Sequence, residues 1–316
     1  MLKLVTTRAL GAVLTVWVSS IVVFAMVRLV PGDPISARLT DGGFDPEVAE
    51  QLRQLYKLDQ PLVLQYFDWL KSLASGNLGF SLLNNLNVAG ELSQRIPRTL
   101  LLTAGGMTVA LLIAIPCGII AAHRRGTVDA AITAVNTVFL ALPTFFIGLI
   151  LILLFAVKGG VLPATGYVSP TSDIGDWLKS SILPWLTIGL PASAFISRVL
   201  RASLLDTLGQ DYIRTAKSHG LTSVQILRSH AIRNAAIPTV TVVGMQVGYL
   251  LGGAIVVEVL FSYPGMGLLL VNAIIQRDYP VIQAAVLFFA VAFVIVNFVT
   301  DMIYSVLDPR LRAGSK

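Results

Sequence analysis

Charge is what this sequence has least of. Its 316 residues include 17 Asp and Glu and 23 Lys and Arg, so 13% are charged, where a soluble domain of this size carries about 25%. Hydrophobic residues make up 55%, and the mean hydropathy is +0.78. That much apolar surface needs lipid as its solvent. Cysteine is nearly absent: Cys117 stands alone in an apolar run, which excludes an intramolecular disulfide and an oxidised scaffold. Histidine is scarce too. His123, His219 and His230 fall in polar loops with no second His or Cys at metal-ligand spacing, so no metal site is expected. There is no Gly-x4-Gly-Lys-Ser/Thr loop to cradle nucleotide phosphates, no Gly-x-Ser-x-Gly elbow and no His-Glu-x-x-His helix. No catalytic residue and no cofactor bound by this chain are therefore expected. If ATP drives the protein, another polypeptide binds it.

What the chain has in quantity is long apolar runs. A bilayer crossing needs about 20 mostly apolar residues, and six stretches qualify: Ala9–Val27, Thr99–Ala122, Ala130–Val157, Ser180–Ser197 extending to about Ala202, Pro238–Val257 and Tyr279–Thr300. None of the six core stretches, the fourth taken as Ser180–Ser197, contains Lys, Arg, Asp or Glu. The first is long and is followed by Arg28-Leu-Val-Pro-Gly-Asp-Pro34, not by a small-residue cleavage site, so it reads as a retained anchor. Pro143 and Pro191 are expected to kink or interrupt their helices.

The short loops set the orientation. Lys3 and Arg8, Arg124 and Arg125, Arg214, Lys217, Arg228 and Arg233 in the 204–237 loop, and Arg310, Arg312 and Lys316 share one side if there are six crossings. That side reads as the cytoplasm, with both termini inside. The opposite segment 31–97 holds eight acids against five bases, net −3. The net charge of +6 thus serves to orient the chain and to meet lipid headgroups, and no nucleic acid is expected.

Three regions follow: 1–97, a first span and an external helical segment; 98–306, a five-helix core containing the 204–237 loop; and the tail 307–316. In the external segment, Asp45–Leu58 has an N-cap pattern, and a second helix from Pro61 to about Ser75 is expected to bury Leu64, Phe67, Trp69 and Leu70 before Gly76 breaks it. The 158–179 loop reads as turns with at most a short amphipathic end, and Pro264-Gly-Met-Gly267 as a tight re-entrant turn.

The candidate pathway or gate residues are Gln246, Gly248, Gly252, Glu258 and Asn297. Gly244, Gly248 and Gly252 make one smooth helix face, for packing within the subunit or against a partner. Glu258 lies about 30 Å along a helix from Pro238, near the outer boundary, where it either snorkels to water or serves a gate. Asn136, Gln246 and Asn297 are amides at membrane depth that should face the interior. Asp301 is expected to pair with an Arg such as Arg310 or Arg198. The 211–238 segment is a polar island between two spans. Asp211–His219 reads as a short helix stopped by Gly220, followed by a second from Ser223 to Asn234. The first presents Tyr212, Ile213, Ala216 and the edge of Leu221 to a groove, with Arg214 and Lys217 at the rim. That is the composition of a docking element.

This island resembles the EAA loop of ATP-binding-cassette (ABC) importer permeases, in the form found in the dipeptide/oligopeptide/nickel branch. Ala216 and Gly220 match its centre, Arg214-Thr215 stand where the general motif has Glu-Ala, and Arg233-Asn-Ala-Ala-Ile-Pro238 is similar to the peptide-branch ending. Arg28–Pro34, Gly76–Ser81, Arg95–Leu100, Leu162–Gly166, Phe261–Gly267, Arg277–Gln283 and Asp308–Arg312 resemble stretches of the first permease of that branch. The resemblance implies an all-α membrane protein with six transmembrane helices and the type I (MetI-like) fold. It implies a heterodimer with a second, homologous permease, two cytoplasmic ATPase subunits that use ATP and Mg, and an extracytoplasmic solute-binding protein. Residues Asp211, Tyr212, Ile213, Arg214, Thr215, Ala216, Lys217, Gly220 and Leu221 would then form the coupling helix. Cargo would be di- or oligopeptides, with nickel or a metal–metallophore complex as the alternative. An autonomous secondary transporter would need ionisable residues inside the spans, and a membrane enzyme would need a polar cluster there; neither is visible.

Overall fold

The structure is a computed structural model that describes residues 2–29 and 60–307. The expected helix at Asp45–Leu58, most of the 28–34 stretch, Arg310 and the 308–316 tail lie outside the described residues. Helices carry the fold, in the order α1 (Leu2–Leu29), α2 (Leu62–Ala74), α3 (Val88–His123), α4 (Thr127–Ala141), α5 (Thr144–Leu151, continued as a π-helical stretch Ile152–Lys158), α6 (Ile174–Leu208), α7 (Asp211–Ser218), α8 (Ser223–Ile226, followed by a π-helical turn Leu227–Ala231), α9 (Ile232–Leu260), α10 (Met266–Ile275) and α11 (Tyr279–Leu307). No strand occurs among the described residues, only an isolated bridge between Phe80 and Asn87.

The helix ends follow local chemistry. Asn87 accepts from the Gly90 amide at 3.1 Å and Asp173 from the Asp176 amide at 2.8 Å, starting α3 and α6. Thr222 and Gln225 form a reciprocal capping box at the start of α8. Helix α2 ends in a Schellman turn: Gly76 takes φ +77°, its amide reaches Leu73 O, and the Asn77 amide reaches Ser72 O. The buried side of α2 differs from the expected one. Leu64 and Phe67 stay exposed, while Gln65 is buried and the Tyr66 hydroxyl meets Ser20 Oγ at 2.8 Å.

Among the described residues, five helices are long and apolar enough to cross a membrane: those within Val5–Arg28, Val88–His123, Ile174–Leu208, Val224–Leu260 and Tyr279–Tyr304. The sixth expected span, Ala130–Val157, is not one straight helix. It breaks between α4 and α5 with a bend of 107°. Proline chemistry explains the break: Leu142, preceding Pro143, is forced into extended backbone at ψ 134°, and Pro143 O then caps the next helix. Pro191, by contrast, does not interrupt α6, which contains both Pro184 and Pro191. The small helix expected at 223–234 is not separate either, since it runs through the π-helical turn into α9.

Polar contacts between elements sort the helix ends into two groups. At one end, Arg8 pairs with Asp301 at 2.7 Å, Arg201 binds Asp129 through two contacts of 2.5 Å, and Asn234 donates to Tyr212 at 2.9 Å. At the other, Ser81 meets Asp278, Thr99 meets Glu258, and the Gly166 amide meets Phe261 O at 2.9 Å. Asp129 belongs to the first group and Gly166 to the second, so the bent α4–α5 pair must carry the chain across. Counted as one broken span, it brings the crossings among the described residues to six. The partner expected for Asp301 is corrected: Arg8 at the start of α1 takes that place.

The core lies between α3, α6 and α9, around Leu102, Leu183, Ile196 and Val257. Small residues let these backbones close in. A side chain at Gly189 would meet the Gly106 carbonyl, and one at Gly148 would overlap Leu260 across the broken span.

Candidate functional site

The sequence-derived candidates fall at the two ends of α9, whose 29 residues span about 40 Å at 1.5 Å each. Helix α7 sits at the first end. It closes with a complete Schellman motif: Gly220 at φ +83° donates to Lys217 O at 3.0 Å, and Leu221 donates to Ala216 O at 3.3 Å. Gly220 thus stops the helix as its residue type demands.

The faces of α7 differ from the expectation. Ile213 is 0% exposed and Ala216 is buried, both packed on Ile226 and Leu208. They hold the helix to its own subunit and cannot lie in an external groove. What α7 presents outward is Tyr212, Arg214, Thr215 and Lys217, with Leu221 and Val224 beside it. Arg214 and Asp211 form a loose exposed pair at 3.5 Å. The Tyr212 hydroxyl, accepting from Asn234, adds a polar tie to the base of α9.

At the second end, Glu258 is 0% exposed. A boundary carboxylate that snorkels to water is therefore ruled out. Its Oε1 accepts from Thr99 Oγ1 at 2.6 Å, and its Oε2 accepts from the backbone amides of Gly267 at 2.6 Å and Leu268 at 3.1 Å. Thr99 Oγ1 in turn accepts from the Met266 amide at 2.8 Å. The expected tight turn is present over 261–265, with Ser262 at φ +51°, and leads into α10 at Met266. Glu258 caps that helix: the first amides of α10 carry the positive end of the helix dipole, which the carboxylate neutralises. Around this knot, the Arg98 guanidinium donates to Pro264 O at 3.2 Å and lies over the Tyr167 ring, which meets Tyr263 edge-on with centroids 4.9 Å apart.

Beyond the other end of α10, Asp278 is buried and accepts from Ser81 Oγ at 2.5 Å and the Leu82 amide at 3.2 Å. Thr99, Asp278, Ser81 and Asn234 were not among the sequence candidates. All four do lie within the quoted family-like stretches.

The remaining candidates divide. A side chain at Gly244 would overlap Thr300, and one at Gly248 would press on Phe293, so the upper part of the glycine face packs against α11 of the same chain. Gly252 meets nothing. Gly248 and Gly252 line an apolar recess of about 540 Å³ together with Tyr249, Leu270, Phe289 and Phe293. Gln246 and Asn297 are half-buried outside its lining. Asn136 donates to Ser197 at 3.3 Å, joining α4 to α6. Among the described residues no group of three or more His, Cys, Asp and Glu is placed to hold a metal ion.

The glutathione transport system permease protein GsiC of Escherichia coli strain K12 is 40% identical over 314 residues, covering 99% of each chain, and GsiC of Shigella dysenteriae serotype 1 matches to the same extent. Among solved structures, inward-facing forms of the MetNI methionine ABC transporter superpose with TM-scores of 0.57 and 0.58 at 17% identity, covering 69% of this chain and 96% of theirs, which fits the MetI-like fold. Residues 114–313 match the family described as binding-protein-dependent transport system inner membrane component, and residues 1–103 match its N-terminal counterpart. The chain is thus a multi-pass membrane protein that belongs to the inner-membrane permease subunits of ABC importers, in the peptide/nickel group.

Proposed function

We propose that this permease carries short peptides, glutathione among them, and takes its driving force through α7. The observation that carries the reading is the build of α7: a short helix clasped to its own subunit by Ile213 and Ala216, with its polar face turned outward. The end-to-end likeness to glutathione permeases supports the cargo class.

In this reading the α7 end faces the cytoplasm, as the Lys and Arg distribution argues. The exposed face of Tyr212, Arg214, Thr215, Lys217 and Leu221 seats in a groove of one of two ATPase subunits that hydrolyse Mg-ATP. A second, homologous permease supplies the other half of the pathway, and an extracytoplasmic solute-binding protein delivers cargo to the α10 end. This chain performs no covalent chemistry. Its core helices swing together between inward- and outward-facing states.

The test is reconstitution of the whole transporter in proteoliposomes with labelled glutathione, a dipeptide and a nickel–chelate. ATP-dependent uptake of the peptides is expected. Uptake of the chelate alone would replace the cargo, and uptake by this chain without ATPases would overturn the coupling. Arg214→Glu sharpens the test. Its pair with Asp211 is exposed and holds nothing else in place, so uptake is expected to fall while the chain still inserts and assembles.

A further inference from the structure

Helix α10 is attached to its neighbours in two physically different ways. Toward α9 and α3 the attachment is directional and short. The Glu258 carboxylate spans Thr99 on α3 and two amides of α10, and nothing softens the contact. A side chain at Gly265 would overlap the carboxylate itself, and one at Gly267 would strike the Ile255 backbone. Toward α11, past the short 276–278 connection where the Asp278 amide donates to Ala273 O at 2.8 Å, the attachment is apolar packing, with Leu270 and Ala273 beside Ala284 and Ala285. That face borders the recess between α9, α10 and α11. Dispersion contacts have no preferred register and let surfaces slide, whereas a buried carboxylate with three donors tolerates little displacement.

A buried charge costs several kcal/mol unless it is compensated, so a fully enclosed Glu that only filled space would be a poor substitute for an apolar residue. We propose that Glu258 is a positioning residue that makes α10 travel with α9, so that the rod carrying α7 at one end moves a helical lid at the other. The inference rests on the importer reading above and adds to it the route by which motion reaches the far side. Shear then occurs at the α10–α11 face, where the recess leaves room for it.

The experiment uses the complete transporter in proteoliposomes, with Cys117→Ser as background. Spin labels on exposed Val256 of α9 and Ile274 of α10 form one pair, and labels on Ile274 and exposed Ile295 of α11 form the contrast pair. Distances are read without nucleotide and after trapping with ATP. The α9–α10 distance is expected to stay fixed while the α10–α11 distance changes. In Glu258→Gln, whose amide cannot accept all three donors, the α9–α10 distribution is expected to broaden. Peptide transported per ATP should then fall by about tenfold, the factor set by losing one hydrogen bond to a charged group. Thr99→Val should show a smaller loss that Thr99→Ser restores.

A wild-type α9–α10 distance that shifts with nucleotide overturns the proposal, as does a Glu258→Gln transporter with native distances and native uptake. If Glu258→Gln does not assemble, the Thr99 pair and the wild-type distances decide. Absence of any ATP-dependent uptake by the wild type would sink the importer reading alone, because the distance pair still reports on α9 and α10.

Discussion

The two ends of α9 hold their short helices by opposite means. At the α7 end the clasp is mainly apolar and small, three side chains from α7 and α8 with Leu208 packed against them and one exposed Tyr212–Asn234 tie, and the polar face of the helix is left open. At the α10 end the clasp is polar and enclosed, a carboxylate and a hydroxyl with no solvent contact, inside a shell of aromatic and apolar side chains. An open polar face over an apolar clasp suits a surface that another protein must grip. An enclosed carboxylate suits a joint that must keep its geometry while its surroundings move. The comparison therefore assigns contact to one end and rigidity to the other.

The strongest way to break it is Gly220→Pro. Proline fixes φ near −65°, whereas Gly220 sits at +83°, and proline has no N–H to reach Lys217 O. The end of α7 loses its stop, at a local cost of about 3 kcal/mol or more. ATP-dependent uptake is expected to vanish in membrane vesicles while the chain still inserts. Normal uptake would show that the open face does not depend on its own terminus.

Next in size is Ile213→Ala, which empties the α7 clasp at a cost of about 2–5 kcal/mol. Here the expected readout is weaker binding of the ATPase to the permease, measured by pull-down or calorimetry, with the α10 end unaffected. A matching loss at the α10 end would erase the contrast between the two joints.

How far these joints were legible in the sequence differs in the same way. The α7 helix, its Gly220 stop and the apolar spans follow from local rules, and those rules held in the fold. Which face of α7 points inward was not legible, because an eight-residue helix offers Ile213 equally to its own subunit or to a partner. The break at Pro143 was expected as a kink or an interruption, but its 107° angle was not legible, since α5 also packs through Gly148 beside Thr187 and Leu260, far away in the chain. Of the two alternatives for Glu258, snorkelling fails because spacing from Pro238 gives depth in the bilayer but not burial. Its donors, Thr99 and the amides after Pro264, lie 159 and 9 positions away in the chain. One signal did point there. Five of the seven stretches that resemble the peptide permeases (76–81, 95–100, 162–166, 261–267 and 277–283) meet at the α10 end through Ser81–Asp278, Thr99–Glu258 and Gly166–Phe261.

Ser81→Ala tests the second buried carboxylate. It removes a short hydrogen bond from Asp278 and leaves that group with the Leu82 amide, a loss of about 1–3 kcal/mol. Protease protection of the 76–87 segment is expected to fall, with the α7 end and ATPase binding unchanged. Unchanged protection would mean that apolar packing alone fixes this loop, and the α10 end would no longer be the polar joint of the pair.

The smallest effect belongs to Arg8→Gln. Arg8 and Asp301 join α1 to α11 at the α7 end with a 2.7 Å contact, yet their side chains are 54% and 37% exposed. Water and salt screen such a pair to about 0–1 kcal/mol, so Tm in detergent is expected to shift by no more than a few degrees, and less as salt rises. A large loss of Tm would mean that charge pairs at the surface, not apolar packing, hold the α7 end together. The two ends of α9 would then differ in exposure but no longer in kind, and rigidity could not be assigned to the α10 joint by comparison with its counterpart.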